Sequence, residues 1–421
     1  MTCNPCTLPH LLAVRVVSSG MAKFHLTVAG CVAALMLFAG LLTAPPAAAL
    51  DDEHWRIAQD SIDRGIAFLR TTQNDDGSWS PEVGPAITAL AITPMLRQPD
   101  ITADDPTVAR ALEYILSHVQ EDGSIRLGPE GILANYNTAI SLSALALVND
   151  RPDVAEAIAG GQAFLVGLQW QEGMTGPNGE TITEDHPYYG GAGYGGSGRP
   201  DMSNTNLMLQ ALHDTGMDCN DPAFVRAVAF ISRCQGVESN DFFEDGTIEN
   251  DGGFIYATAI NSEHPDIPVS YASPEMVDEA RAGRPVSGLR GYGSVTYAGF
   301  KSFVYAQLDR DDPRVQAALG WIQSNYTLEN NPGMPERDNL GAQGLFYYYM
   351  THGRALNAWG MTQLTLADGT QVDWANNLIA HLASLQSADG SWVNQRHDRW
   401  MEDNANLVTA YSLIALTAAL D

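Results

Sequence analysis

Two stretches near opposite ends of this 421-residue chain carry the same pattern. Residues 66–79 read IAFLRTTQNDDGSW, and residues 379–392 read IAHLASLQSADGSW. Each is the tail of an amphipathic helix, then a glutamine, an acidic-glycine turn and a tryptophan. An apolar, alanine-rich helix follows each, AITALAITPML after the first and NLVTAYSLIALTAAL after the last. The pattern returns between them. LEYILSHVQEDGSI (112–125) precedes NYNTAISLSALALV, and QAFLVGLQWQEGM (162–174) precedes SNTNLMLQALHDTG. VAFISRCQ (228–235) precedes SVTYAGFKSFVYAQL, and ALGWIQSNY (318–326) precedes AQGLFYYYMTHGRALNAWG, with Tyr326 in place of the glutamine. A unit of this size cannot bury its apolar face alone, so repetition constrains the fold more than any local propensity.

The first helix of each unit has one apolar stripe and so predicts a surface helix. Asp-Gly ends it in a turn that tolerates the left-handed conformation. The second helix is apolar around most of its circumference, which suits an inner helix with neighbours on nearly all sides. Six outer and six inner helices predict an all-α, (α/α)6 toroid in one domain over residues 50–421. The stretch 238–292, with Pro265, Pro268, Pro274 and Pro285, is a long insertion in the fourth repeat.

Residues 1–49 predict a signal peptide, with its start possible at Met21. Lys23 supplies a positive end, Val28–Leu42 an apolar run, and Ala47-Ala48-Ala49 a cleavage site after Ala49. Val28-Ala29-Gly30-Cys31 offers the alternative of lipidation at Cys31. The chain is therefore expected to be exported, periplasmic or secreted, with no integral membrane segment in its mature part. Fifty acids against 22 bases give a formal net charge of -28, which disfavours nucleic acid as a partner. Cys219 and Cys234 flank a helix, roughly 18 Å apart at 1.5 Å per residue, too far for a disulfide.

Gln73…Gly77-x-Trp79 and Gln386…Gly390-x-Trp392 resemble the QW repeats of squalene-hopene and oxidosqualene cyclases. The helix pair is also similar to that of protein prenyltransferase β subunits. The resemblance spans nearly all of residues 55–420. It implies that Gln73, Trp79, Gln386 and Trp392 act as structural clamps. It also implies a cavity for an isoprenoid or other apolar small molecule and terpene cyclase-type activity. No cofactor is implied. The prenyltransferase zinc motif D-x-C is absent where the matching inner helix opens Gly293-Ser294-Val295-Thr296-Tyr297, so no metal is expected.

The N-terminal ends of inner helices favour polar ligands and line one mouth of such toroids. Asp201-Met202-Ser203-Asn204-Thr205 opens the third and resembles the D-x-D-D-T-A motif of squalene-hopene cyclases. Asp201 and Thr205 match that motif. Ser203 stands at the position of the protonating aspartate, and Asn204 replaces the second one. In the fifth repeat, Tyr348 and His352 are four apart and share a helix face, with Asp338 and Tyr347 nearby. The expected catalytic set is Asp201 to orient or share a proton, Tyr348 to line the cavity, and His352 as acid–base group. Ser203, Asn204, Tyr347, Asp338 and Asp403 are expected to contact ligand. Two other readings stay open. A periplasmic carbohydrate-active toroid would draw a carboxylate pair from acids such as Glu249, Asp251, Glu402 and Asp403. A non-catalytic scaffold would use the long loop to bind a partner.

Overall fold

Aspartate followed by proline starts three of the outer helices. Asp105, Asp221 and Asp312 accept bonds from first-turn backbone N–H groups, and the proline behind each has no N–H to leave unpaired. The computed structural model describes residues 50–128, 131, 133–195 and 198–421. The expected leader over 1–49 and the alternative at Cys31 lie outside the described residues. In chain order the helices are α1 (Asp52–Thr72), α2 (Ala86–Leu96), α3 (Pro106–Ser117), α4 (Ala134–Leu145), α5 (Pro152–Leu168), α6 (Met202–Asp214) and α7 (Pro222–Arg233). They continue as α8 (Pro274–Arg281), α9 (Gly293–Tyr305), α10 (Pro313–Asn325), α11 (Leu345–Trp359), α12 (Trp374–Leu385) and α13 (Ala405–Leu420). A small hairpin pairs β1 (Leu364–Thr365) with β2 (Gln371–Val372) antiparallel.

Helices α2, α4, α6, α9, α11 and α13 each touch the next, and α13 closes back on α2. The outer layer is α1, α3, α5, α7, α10 and α12, and α1 packs on α12 and α13 so that the first and last repeats meet. The fold is the (α/α)6 toroid. Burial follows the patterning. α1 buries a single stripe of Ala58, Ser61, Ile62, Gly65, Ile66 and Leu69, whereas every residue from Ala86 to Met95 of α2 is buried. The insertion between α7 and α9 carries α8 and brings Tyr256 and Tyr292 towards the ring's interior. Among the described residues no helix is long and apolar enough to cross a membrane. Cys219 and Cys234 lie at opposite ends of α7 and are not bonded to each other.

The repeat signature is a clamp between successive units. Gln73 Nε2 donates to Gly77 O in its own turn (3.0 Å) and to Thr107 O at the start of α3 (2.9 Å). Gln169 bridges Gly190 O and Ala223 O of α7 in the same way, and Gln235 bridges Gly252 O and Arg314 O of α10. Gln386 bridges Gly390 O and Ser61 O of α1, joining the last repeat to the first. Gln120 differs, with both its bonds, to His118 O and Arg126 O, staying within its own turn. Two residues past each turn glycine, a backbone N–H donates to a threonine of the inner helix. Trp79, Ile125, Ala192, Phe254 and Trp392 donate to Thr88, Thr138, Thr205, Thr296 and Thr409, at 2.9–3.1 Å. Thr205, which aligns by sequence with a catalytic motif, therefore has the same place in its repeat as four other threonines.

Candidate functional site

The inner helices begin on the side of the ring where the repeat turns lie, and a cavity of about 240 Å³ opens there. Its wall is largely aromatic. Tyr136 comes from α4, Tyr347 from α11 and Tyr411 from α13, while Tyr194, Tyr256, Tyr292 and Trp400 come from the connecting segments. Val83, Ile87, Leu133, Leu207, Met401 and Leu407 complete the apolar surface, and Ser203, Asn204, Ser294 and Glu402 are its polar points.

Glu402 is the carboxylate among the described lining residues. It reaches from the turn before α13 to the first turn of α11. Oε1 accepts from the N–H groups of Phe346 and Tyr347, both at 2.9 Å, and Oε2 accepts from Asn394 Nδ2 at 2.7 Å. A carboxylate has about four lone-pair positions, so one is left for a proton or for a ligand donor. Burial pushes its pKa up to about 7 despite those three donors. The backbone just before it is tight, with Trp400 and Met401 both left-handed at φ 61 and 64. Arg399 stacks on Trp400 and on Tyr271 of the insertion, at 4.5 and 4.7 Å from the ring centroids.

Of the residues expected from sequence to form the site, Ser203, Asn204 and Tyr347 line the cavity. Asn204 Oδ1 is buried and has no partner among the described residues. Asp201 lies behind Asn204 and is fully buried. It caps α6, with Oδ1 accepting from Asn204 N and Oδ2 from Asn204 Nδ2, both at 2.9 Å, and Arg199 Nη1 3.9 Å away. Desolvation raises its pKa, against the opposing pull of Arg199 and the Asn204 bonds.

Tyr348 and His352 do share a face of α11, but it is not the face that lines the cavity. Tyr348 donates to Thr327 O at 2.7 Å. The His352 ring packs among Tyr297, Tyr348, Tyr326 and Trp374, with centroids 4.9–5.9 Å away, and neither ring nitrogen has a partner among the described residues. Burial lowers its pKa to about 3, so it is neutral at physiological pH. Asp338, at φ 55, and Asp403 are exposed, away from the lining. Replacing His352 with phenylalanine is expected to shift stability at pH 7 by less than about 1 kcal/mol. The depressed pKa means that wild type loses stability as pH falls from 6.5 towards 3, so the variant should be the more stable by about 3 kcal/mol at pH 4. Urea unfolding at the two pH values checks this.

The sequence pattern places Glu402 among several acids before inner helices or long loops and does not separate it from them. Its donors lie 55 and 56 residues away on another repeat, and the chain pattern carries no signal of that distance. The lining tyrosines are equally scattered.

No family model matches the sequence, and no curated protein matches it. Solved structures do. D-mannose isomerase is 12% identical with a TM-score of 0.53, over 88% of this chain and 99% of that one. The family 76 glycoside hydrolase (mannosidase) of Bacteroides thetaiotaomicron is 8% identical with a TM-score of 0.50, over 86% and 98%. The type II terpene cyclase MstE from Scytonema, without ligand, is 15% identical with a TM-score of 0.48, over 87% and 98%. At such identities the likeness is one of fold alone.

Proposed function

We propose that the mature chain is an exported toroid whose central cavity holds an isoprenoid-type apolar molecule, with Glu402 as the group that addresses the ligand's polar atom. The observation that carries this reading is a wall of tyrosines and aliphatic side chains with one buried carboxyl group in it. Such a wall rewards apolar surface, and the tyrosine faces would stabilise developing positive charge. With a pKa near 7, Glu402 is about half protonated at neutral pH. It is a weaker acid than an ordinary carboxyl, which makes an oxygen, such as that of an epoxide or hydroxyl, a better target than a bare double bond. Proton delivery to an epoxide oxygen would begin a terpene cyclase-type reaction. Ser203 would not initiate it, and Asp201, held by both functions of Asn204, would position Asn204 at the wall.

A carbohydrate reading would use two carboxylates facing one cleft. Among the described residues Glu402 lines the cavity and Asp201 does not, so the apolar reading is favoured. The test is native mass spectrometry of the protein from its own cells with lipid extraction. A retained isoprenoid supports the proposal, and a retained oligosaccharide overturns it.

A further inference from the structure

Deeper along the axis of the ring the surroundings become polar. Tyr136, Leu207, Tyr347 and Tyr411 line both the large cavity and a second void of about 10 Å³. That void is also walled by Gln210 of α6 and Arg354 of α11. The charged groups around it have different neighbours. Lys301 of α9 is 2% exposed, and its Nζ donates to Gln210 Oε1 at 2.5 Å. Gln210 Nε2 donates to Asp214 Oδ2 at 3.4 Å, and His213 Nδ1 lies 3.4 Å from Asp214 Oδ1. Arg354 makes no hydrogen bond or ion pair among the described residues, and feels Asp214 only through longer-range attraction. Arg354 is only partly buried, and the five N–H donors of its guanidinium are open to an acceptor.

We propose that the toroid binds its ligand end-on, with the apolar body in the tyrosine-lined cavity and a terminal carboxylate on the guanidinium of Arg354. This rests on the apolar-ligand reading above and adds the ligand's polarity and its charged end. The planar fork of arginine matches a carboxylate in two parallel bonds. Charge sets the choice of anion. Asp214 already stands beside the site, and burial together with Arg354 pushes the Lys301 amine towards neutrality. Asp214 already offsets Arg354, so each further negative charge meets repulsion, and a singly charged carboxylate meets less of it than a diphosphate. The void as it stands is about the size of one water. Seating a carboxylate requires the hydroxyls of Tyr136 and Tyr411, 3.1 Å apart, to separate.

The experiment compares farnesoic acid, farnesol and farnesyl diphosphate by calorimetric titration of the mature protein, its Arg354→Met and its Arg354→Lys variants. Farnesoic acid should bind at least about tenfold tighter than farnesol, the least that a charge-assisted hydrogen bond contributes. Arg354→Met should abolish that preference while leaving farnesol binding within about twofold, and Arg354→Lys should restore part of it. Unchanged farnesol binding also shows that the variant is folded. Equal binding of acid and alcohol to wild type, or an acid preference that survives Arg354→Met, overturns the end-on proposal alone. Tightest binding by the diphosphate overturns the carboxylate. Failure of all three to bind removes the apolar-ligand reading and this inference with it.

Discussion

Replacing Glu402 with leucine is expected to cost about 3–5 kcal/mol of stability, because it strands three buried donors at once. The N–H groups of Phe346 and Tyr347 and one N–H of the Asn394 amide end on this carboxyl, while the other Asn394 N–H goes to Ala342 O. Glutamine is the informative companion. Its carbonyl keeps the two backbone donors, while its NH2 meets the Asn394 NH2. Asn394 cannot turn round, because its Oδ1 accepts from the N–H groups of Arg396 and His397. Glu402→Gln should therefore cost about 1–2 kcal/mol.

The two variants also separate the pH dependence. The Glu402 pKa is raised in the fold, so its contribution is complete below pH 4.5 and is lost as pH rises to about 7, by about 3 kcal/mol in all. His352 acts in the opposite direction from pH 3 to 6.5. The wild-type profile mixes the two, together with the raised Asp201, and only the difference between wild type and Glu402→Gln isolates Glu402. That difference, read from urea midpoints, should run against the variant by about 1–2 kcal/mol at pH 4.5 and reverse in its favour by pH 7. A difference that is flat across this window would mean that Glu402 is an ordinary ionised cap.

Gly390→Ala is expected to be strongly damaging, because this repeat turn joins the last repeat to the first. Gly390 has φ +91, and a Cβ there would lie 2.3 Å from the carbonyl oxygen of Arg64 in α1. Backbone cannot yield as a side-chain tip can, so the first and last repeats would have to separate. Gly369 controls for conformation alone. It has φ +88 and nothing within 4 Å of a built Cβ. Gly369→Ala should cost about 1–2 kcal/mol, the strain of a left-handed residue. Gly390→Ala should cost about 4 kcal/mol or more, with amide exchange accelerated where α1 meets α12 and α13. Equal effects of the two substitutions would contradict closure through this turn.

The same turn explains why the fold was readable. Glutamine, glycine and tryptophan recur at fixed spacing because one residue's amide must reach both its own turn and the next outer helix, a demand that is local in sequence. Gly77, Gly123, Gly190, Gly252 and Gly390 all sit at positive φ against an outer-helix carbonyl. The site was less readable. Asp201, Ser203 and Asn204 were legible because a helix start announces its cap. Tyr347 and Tyr348 are one residue apart, about 100° on a helix, and only one of them lines the cavity. On inner helices buried on every side, apolar periodicity cannot say which face looks inward. Thr205 illustrates the reverse error, since a match to a catalytic motif coincides with a clamp found in five repeats.

The central claim, that the tyrosine-lined cavity holds an apolar ligand addressed by Glu402, is tested most directly by native mass spectrometry of the protein from its own cells, with extraction and identification of what it carries. The account predicts a bound isoprenoid-type lipid, lost in a folded Glu402→Gln variant. A protein that carries a sugar, or carries the same lipid with and without the Glu402 carboxyl, would contradict it.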